Sequence, residues 1–122
     1  MTGAYDARVT DCLFCKIVAG EIPATVVRQD ERTLAFADIQ PQAPTHVLVV
    51  SREHYPTAAQ AAAADPALVG DIVRAAHQVA ADAGVADSGY RLVFNTGPDA
   101  SQSVLHVHCH VLGGRNLQWP PG

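Results

Sequence analysis

The stretch Leu105-His106-Val107-His108-Cys109-His110-Val111-Leu112-Gly113-Gly114-Arg115 constrains this chain more than any other. Three of its six histidines fall there, at i, i+2 and i+4, with Val107, Cys109 and Val111 between them. Strict alternation of polar and apolar residues over this length reads as a β-strand, whose successive side chains point to opposite faces. On a strand over 104–112, His106, His108 and His110 would line one face at intervals of roughly 6.6 Å. Val107, Cys109 and Val111 would pack into a core. Packing has no use for three imidazoles in a row. Imidazole titrates near neutrality, ligates metals and attacks electrophiles, so the row predicts metal binding by several of the three, or catalysis by one helped by its neighbours.

The rest of the chain supplies a setting for that strand. Residues 1–10 show no period and are expected to be a mobile N-terminus, leaving 11–122 as a single domain with one core. A formal net charge of −4 argues against a general binder of nucleic-acid backbones, which would be basic. No apolar run approaches the length of a membrane span, and the first residues lack the charged start and apolar stretch of a signal peptide, so the cytoplasm is the expected compartment. Three cysteines, an odd number, make no disulfide framework and suit a reducing environment.

Asp11 is placed to cap a short helix through Ala19, stopped by Gly20, with Phe14, Ile17 and Val18 inward and Cys12 and Cys15 on its first turn. Strands are expected over 25–29 and 33–38, joined by a polar turn. A loop with two prolines, 40–44, leads to a strand over 46–50. Alternation puts His46, Leu48 and Val50 on one of its faces and Val47 and Val49 on the other. Thr57 with Gln60 fits a capping box for an Ala-rich helix. Asp65-Pro66 restarts a longer one, buried along Leu68, Ile72, Ala76, Val79 and Ala83 and ended by Gly84. His77 lies off that stripe and reads as a surface residue. A strand over 90–95 and a loop over 97–102 precede the histidine strand. The pattern is that of an α+β fold with a largely antiparallel sheet.

His-x-His-x-His followed by two apolar residues resembles the defining motif of the histidine-triad (HIT) superfamily of nucleotidyl hydrolases and transferases. The similarity extends over roughly 11–122. Asn95-Thr96-Gly97, Gln102-Ser103-Val104-Leu105-His106, Gly113-Gly114-Arg115 and Trp119-Pro120-Pro121-Gly122 look like its nucleotide-binding (phosphoramidase) branch, as does Asp38-Ile39-Gln40-Pro41-Gln42-Ala43-Pro44-Thr45-His46. The resemblance implies a five-stranded antiparallel sheet with one long and one or two short helices, doubled to ten strands in a homodimer. It also implies hydrolysis of purine nucleoside 5′-phosphoramidates or aminoacyl-adenylates at the α-phosphorus, with AMP or GMP as the nucleotide held.

Site roles follow from the same resemblance. His108, the central histidine, would be the nucleophile and form a nucleotidyl-histidine intermediate that water releases. His110 and His46 would contact phosphate oxygens, Asn95 would donate a further hydrogen bond, and Ser103 would lie near the phosphate and the leaving group. Gly97, Gln102 and Val104 belong to the loop that brings backbone N–H groups close. Ser103 stands three residues before His106 and would face the wrong way on an unbroken strand, so a bend is expected at Ser103-Val104. Asp38 would accept from both ribose hydroxyls. Leu13, Phe14, Ile17, Ile22, Phe36 and Ile39 match the purine slot, although core packing explains them equally well.

Cys12-x-x-Cys15 departs from the animal members of that branch, while many bacterial members carry it. With His54 and His106 it would form a Cys₂His₂ set suited to tetrahedral Zn²⁺, a structural ion that leaves His108 free. A buried or redox-active pair is the other reading of the motif. Rival functions remain. A metal-centred hydrolase using His-x-His needs a larger barrel and a carboxylate that is not evident here. A non-catalytic nucleotide-binding scaffold would have no need of His108. A dinucleoside polyphosphate hydrolase of the fragile-histidine branch would lack the Trp-Pro-Pro-Gly ending.

Overall fold

A computed structural model describes residues 11–122, and the expected N-terminal segment lies outside them. Three helices are described: α1 (Leu13–Val18), α2 (Ala58–Ala64) and α3 (Pro66–Asp82). Five strands, β1 (Val26–Gln29), β2 (Thr33–Ala37), β3 (Thr45–Ser51), β4 (Tyr90–Val93) and β5 (His108–Gly113), form one antiparallel sheet in the order β1-β2-β3-β5-β4. This is the expected α+β architecture.

The period-2 pattern sorts the central strands onto two faces. Ala35, Val47, Val49, Cys109 and Val111 point towards α3, where Leu68, Ile72, Ala76 and Val79 complete the larger core. Leu34, Phe36, Leu48 and Val50 point the other way and pack with Cys12 and Phe14. That second face also carries the histidines, since Leu48 pairs with His110 and Val50 with His108 across β3 and β5. Half of this face is core and half is site.

Several local expectations shift, each for a physical reason. The helix cap is Cys12, whose sulfur accepts from the Cys15 N–H, and not Asp11. Asp65 precedes Pro66 as expected but makes no cap bond, because its carboxylate turns to Arg32, which also reaches Asp71 at 3.4 Å. Ala83 is exposed, and Val85, beyond the Gly84 turn at φ +77°, closes the core instead.

The largest correction concerns the histidine strand. Pairing begins only at His108, and residues 104–106 bend. The bend expected at Ser103-Val104 thus lies at 104–106. His106 does not share a strand row with His108 and His110. It is wholly buried, its Nε2 lying 2.7 Å from the Ser51 carbonyl, and the next residue donates to Tyr55 O at 2.6 Å and not to a strand. A side chain drawn inward by such partners takes the main chain out of the ladder.

Candidate active site

His108 and His110 open into a cleft of about 360 Å³ between α1, the β2–β3 connection and the loop after β4. Three hydrogen bonds fix which nitrogen of each ring carries the proton. The Gln42 N–H donates to His46 Nδ1 at 3.0 Å, so a neutral His46 is protonated on Nε2. That nitrogen lies 2.9 Å from His110 Nδ1, which must then accept, leaving His110 Nε2–H as the ring's donor. His108 Nδ1 lies 2.7 Å from the His106 carbonyl, which can only accept, so His108 keeps a bare lone pair on Nε2.

Burial keeps the rings neutral. It lowers the pKa of His46 and His108 below the ordinary histidine value, against a raising influence from Asp38. His110 falls to about 4, through burial first and then through His108 and His46. The site thus presents one unprotonated imidazole nitrogen beside one N–H donor, both on neutral rings.

The walls follow from α1 and β2. Phe14 is 4% exposed and stands edge-on to His108, with ring centroids 5.0 Å apart, and packs against Phe36 at 5.4 Å. Ile17, Ile22, Leu13 and Ile39 complete an apolar side, Ile39 at its rim with 95% exposure. Asp38 lines the cleft between this side and the histidines, its Oδ1 accepting from the Gln40 N–H at 2.8 Å and its Oδ2 3.3 Å from His46 Nε2. A carboxylate has lone pairs left after those contacts. Asn95, Ser103 and Val104 line the opposite lip.

A second cluster gathers around His106, on the same side of the sheet. Cys12 Sγ, Cys15 Sγ, His54 Nδ1 and His106 Nδ1 fall within 4.8 Å of one another. Their sulfur–nitrogen contacts are 3.2–3.4 Å and the two nitrogens are 3.2 Å apart. A tetrahedral ion with ordinary Zn–S and Zn–N lengths needs edges of about 3.3–3.8 Å. His106 Nε2 donates to Ser51 O, the outer bond that metal-ligating histidines make, and His54 Nε2 is buried without a partner. Burial, with Cys12 beside it, pushes the Cys15 thiol up to about 12, so a nearby cation is what would make it a thiolate. The residues fit a four-coordinate soft divalent ion.

The HIT domain family model matches residues 19–117. The chain belongs to this family. An uncharacterized HIT-like protein of Synechocystis is 46% identical over 112 residues, covering 92% of this chain and 97% of the relative. A solved HIT family hydrolase from Legionella pneumophila is 50% identical, with a TM-score of 0.88 over 91% of this chain and 99% of its own. A Zn-bound histidine triad family protein from Mycobacterium smegmatis is 31% identical, with a TM-score of 0.78 over 88% and 77% of the two chains.

In this HIT domain the residues singled out from sequence fall into three places. His108, His110, Asp38, Asn95, Ser103, Val104 and the six apolar residues line the cleft, while His46 stands behind His110. Cys12, Cys15, His54 and His106 form the separate cluster. Gly97 and Gln102 line neither. The Gly97 N–H donates to Gln102 Oε1 at 3.0 Å, and Gln102 Nε2 donates to Pro56 O and Val104 O, so this pair braces the lip.

Sequence reading missed the bracing of the β2–β3 connection. Arg115 donates twice to the Gln42 carbonyl, at 3.1 and 2.9 Å, and thereby steadies the N–H that orients His46. Pro23 and Ala24 on the apolar side and Ser101 on the lip were also unforeseen. Of these, the Gly-Gly-Arg run at the end of β5 was the one signal available.

Proposed function

We propose that this HIT protein hydrolyses purine nucleoside 5′-phosphoramidates, with aminoacyl-adenylates as related substrates, through a covalent intermediate on His108. The carrying observation is the His106 carbonyl on His108 Nδ1. It commits the lone pair to Nε2 and accepts from the imidazolium that forms when Nε2 becomes bonded to phosphorus.

In the first step Nε2 attacks the α-phosphorus, the bond to the leaving amine breaks, and the leaving nitrogen takes up a proton from solvent at the cleft mouth near Ser103. His110 Nε2–H donates to a phosphoryl oxygen, an interaction that strengthens as negative charge gathers there. In the second step water attacks phosphorus, the P–Nε2 bond breaks, one proton of the water passes to solvent, and nucleoside monophosphate is released with His108 again neutral. Asp38 takes the ribose hydroxyls, and Leu13, Phe14, Ile17, Ile22, Phe36 and Ile39 hold the purine of AMP or GMP. Asn95 adds a donor to the phosphate.

Cys12, Cys15, His54 and His106 would hold one Zn²⁺ per chain. Four protein ligands leave no position for water or substrate, so the ion braces the fold and supplies no hydroxide. The name of the Mycobacterium smegmatis relative supports zinc in this family.

The test is turnover of adenosine 5′-phosphoramidate set against a diadenosine polyphosphate. The phosphoramidate is expected to be the better substrate, with a trapped adduct that maps to His108 by mass spectrometry. His108→Ala should lose more than about 100-fold in kcat while AMP binding stays within about tenfold, because base and ribose contacts survive. Turnover by the variant at more than a few per cent of wild type would remove His108 from the role, and preference for the polyphosphate would reassign the substrate.

A further inference from the structure

We infer that the Cys12–Cys15–His54–His106 cluster positions the nucleophile as well as bracing the fold, so that its occupancy by a divalent ion sets how well His108 is aimed. The inference rests on the reading of His108 as nucleophile. Two routes run from the cluster to that ring.

The first is the main chain of His106. Its carbonyl oxygen, 2.7 Å from His108 Nδ1, holds both the tautomer and the tilt of the nucleophile. Carbonyls within a sheet are held by the ladder, but His106 precedes β5 and has no strand partner. Its peptide group is anchored by the Val107 N–H on Tyr55 O, and its residue by the His106 side chain, through Nε2 to Ser51 O and through Nδ1 in the cluster. Free Nδ1 from its three neighbours and one of the few anchors of that carbonyl is gone.

The second route is α1. Cys12 caps this helix and Cys15 sits in its first turn, so two of the four donors fix where the helix lies. Phe14, between them in sequence, stands edge-on to His108 at 5.0 Å and to His106 at 6.0 Å. A six-residue helix has little stability of its own. The cluster therefore governs the carbonyl at one end of the His108 ring and the aromatic wall against its face. His106 acts through His108 and is a positioning residue.

A purely structural ion predicts that loss of metal changes activity only as the protein unfolds. Positioning predicts a loss of kcat in a folded protein that still binds nucleotide. The experiment compares protein purified without chelator, its metal-free form and the metal-free form given back Zn²⁺, at a temperature where near-UV circular dichroism shows all three folded. The readouts are kcat for the phosphoramidate, Kd for AMP, and the imidazole ¹⁵N signals of His108, which distinguish Nδ1–H from Nε2–H. Expected is a fall in kcat of at least tenfold on metal removal, AMP affinity within about twofold, and a change of the His108 signal from pure Nδ1–H to a mixture, all reversed by Zn²⁺.

Unchanged kcat and an unchanged His108 signal in the folded metal-free form would overturn the inference. So would parallel losses of kcat and AMP affinity. Should the metal-free form lose its near-UV spectrum, metal-loaded His54→Ala and His54→Cys replace it, with three and four donors in the cluster, His106 among them. His54→Cys should turn over at least fivefold faster, and equal rates would overturn the inference. If no form hydrolyses the substrate, the proposed reaction fails on its own, while the His108 signal still decides whether the cluster orients the ring.

Discussion

At the scale of single residues, the site works by choosing tautomers. Gln42, His106 and the His46–His110 contact decide where three protons sit, and burial keeps the rings neutral enough for that choice to hold. Because burial lowers the His108 pKa, the unprotonated form persists as pH falls through the ordinary histidine range. The acid limb of kcat/KM is therefore expected below about pH 6.5. A pH–rate profile whose acid limb fell at or above that value would show His108 charging as a solvated histidine does. His108 and His110 were legible because alternation and motif both point at them, and Asp38 through the motif alone. His106 was misplaced for an instructive reason. Its polarity answers to the cysteines and the Ser51 carbonyl, yet it keeps the same i, i+2 spacing that a strand would give, and periodicity cannot see a side chain pulling its backbone away.

At the scale of elements, the connections do as much as the strands. The strands and the long helix could be read from periodicity, since both rest on the positions of apolar residues, whereas the order β1-β2-β3-β5-β4 could not. The bracing of the loops could not, because it uses peptide groups and residues distant in sequence, such as Arg115 on Gln42 and Gln102 on Pro56. The turn out of β5 shows what such bracing demands. Gly114 has φ +90°, and a Cβ there would stand 2.9 Å from Pro44 Cβ in the loop that carries Gln42. Gly70, in the exposed middle of α3, has nothing within 4 Å of its Cβ position. Gly114→Ala should cost about 1–3 kcal/mol through strain and crowding. Gly70→Ala should add about 0.5–1 kcal/mol by restricting the unfolded chain. Denaturant unfolding of the two variants checks the opposite signs.

At the scale of the whole molecule, the two ends of the sheet differ. β1 is short and irregular in register, which discourages further pairing. β4 ends the sheet at the other side, beside a shallow hollow of about 700 Å³ along Tyr90, Arg91, Arg115 and Leu117 that holds no histidine, cysteine or carboxylate. A second copy meeting β4 across a two-fold axis would continue the sheet to ten strands and cover that hollow. Sedimentation at micromolar concentration should accordingly give a species of twice the 12.9 kDa chain mass, and a monomer would contradict it.

The hydrogen bond from the Gln42 peptide to His46 carries one more consequence. The chain Gln42–His46–His110 is a row of donors all pointing one way, and it starts from a main-chain amide, which does not titrate near neutral pH. A proton wire that ends in such a group is blind at that end. Protons that the reaction consumes or releases then cross on the cleft side, with the leaving group, with water or past the Asp38 carboxylate 3.3 Å from His46 Nε2, and not through the Gln42 peptide.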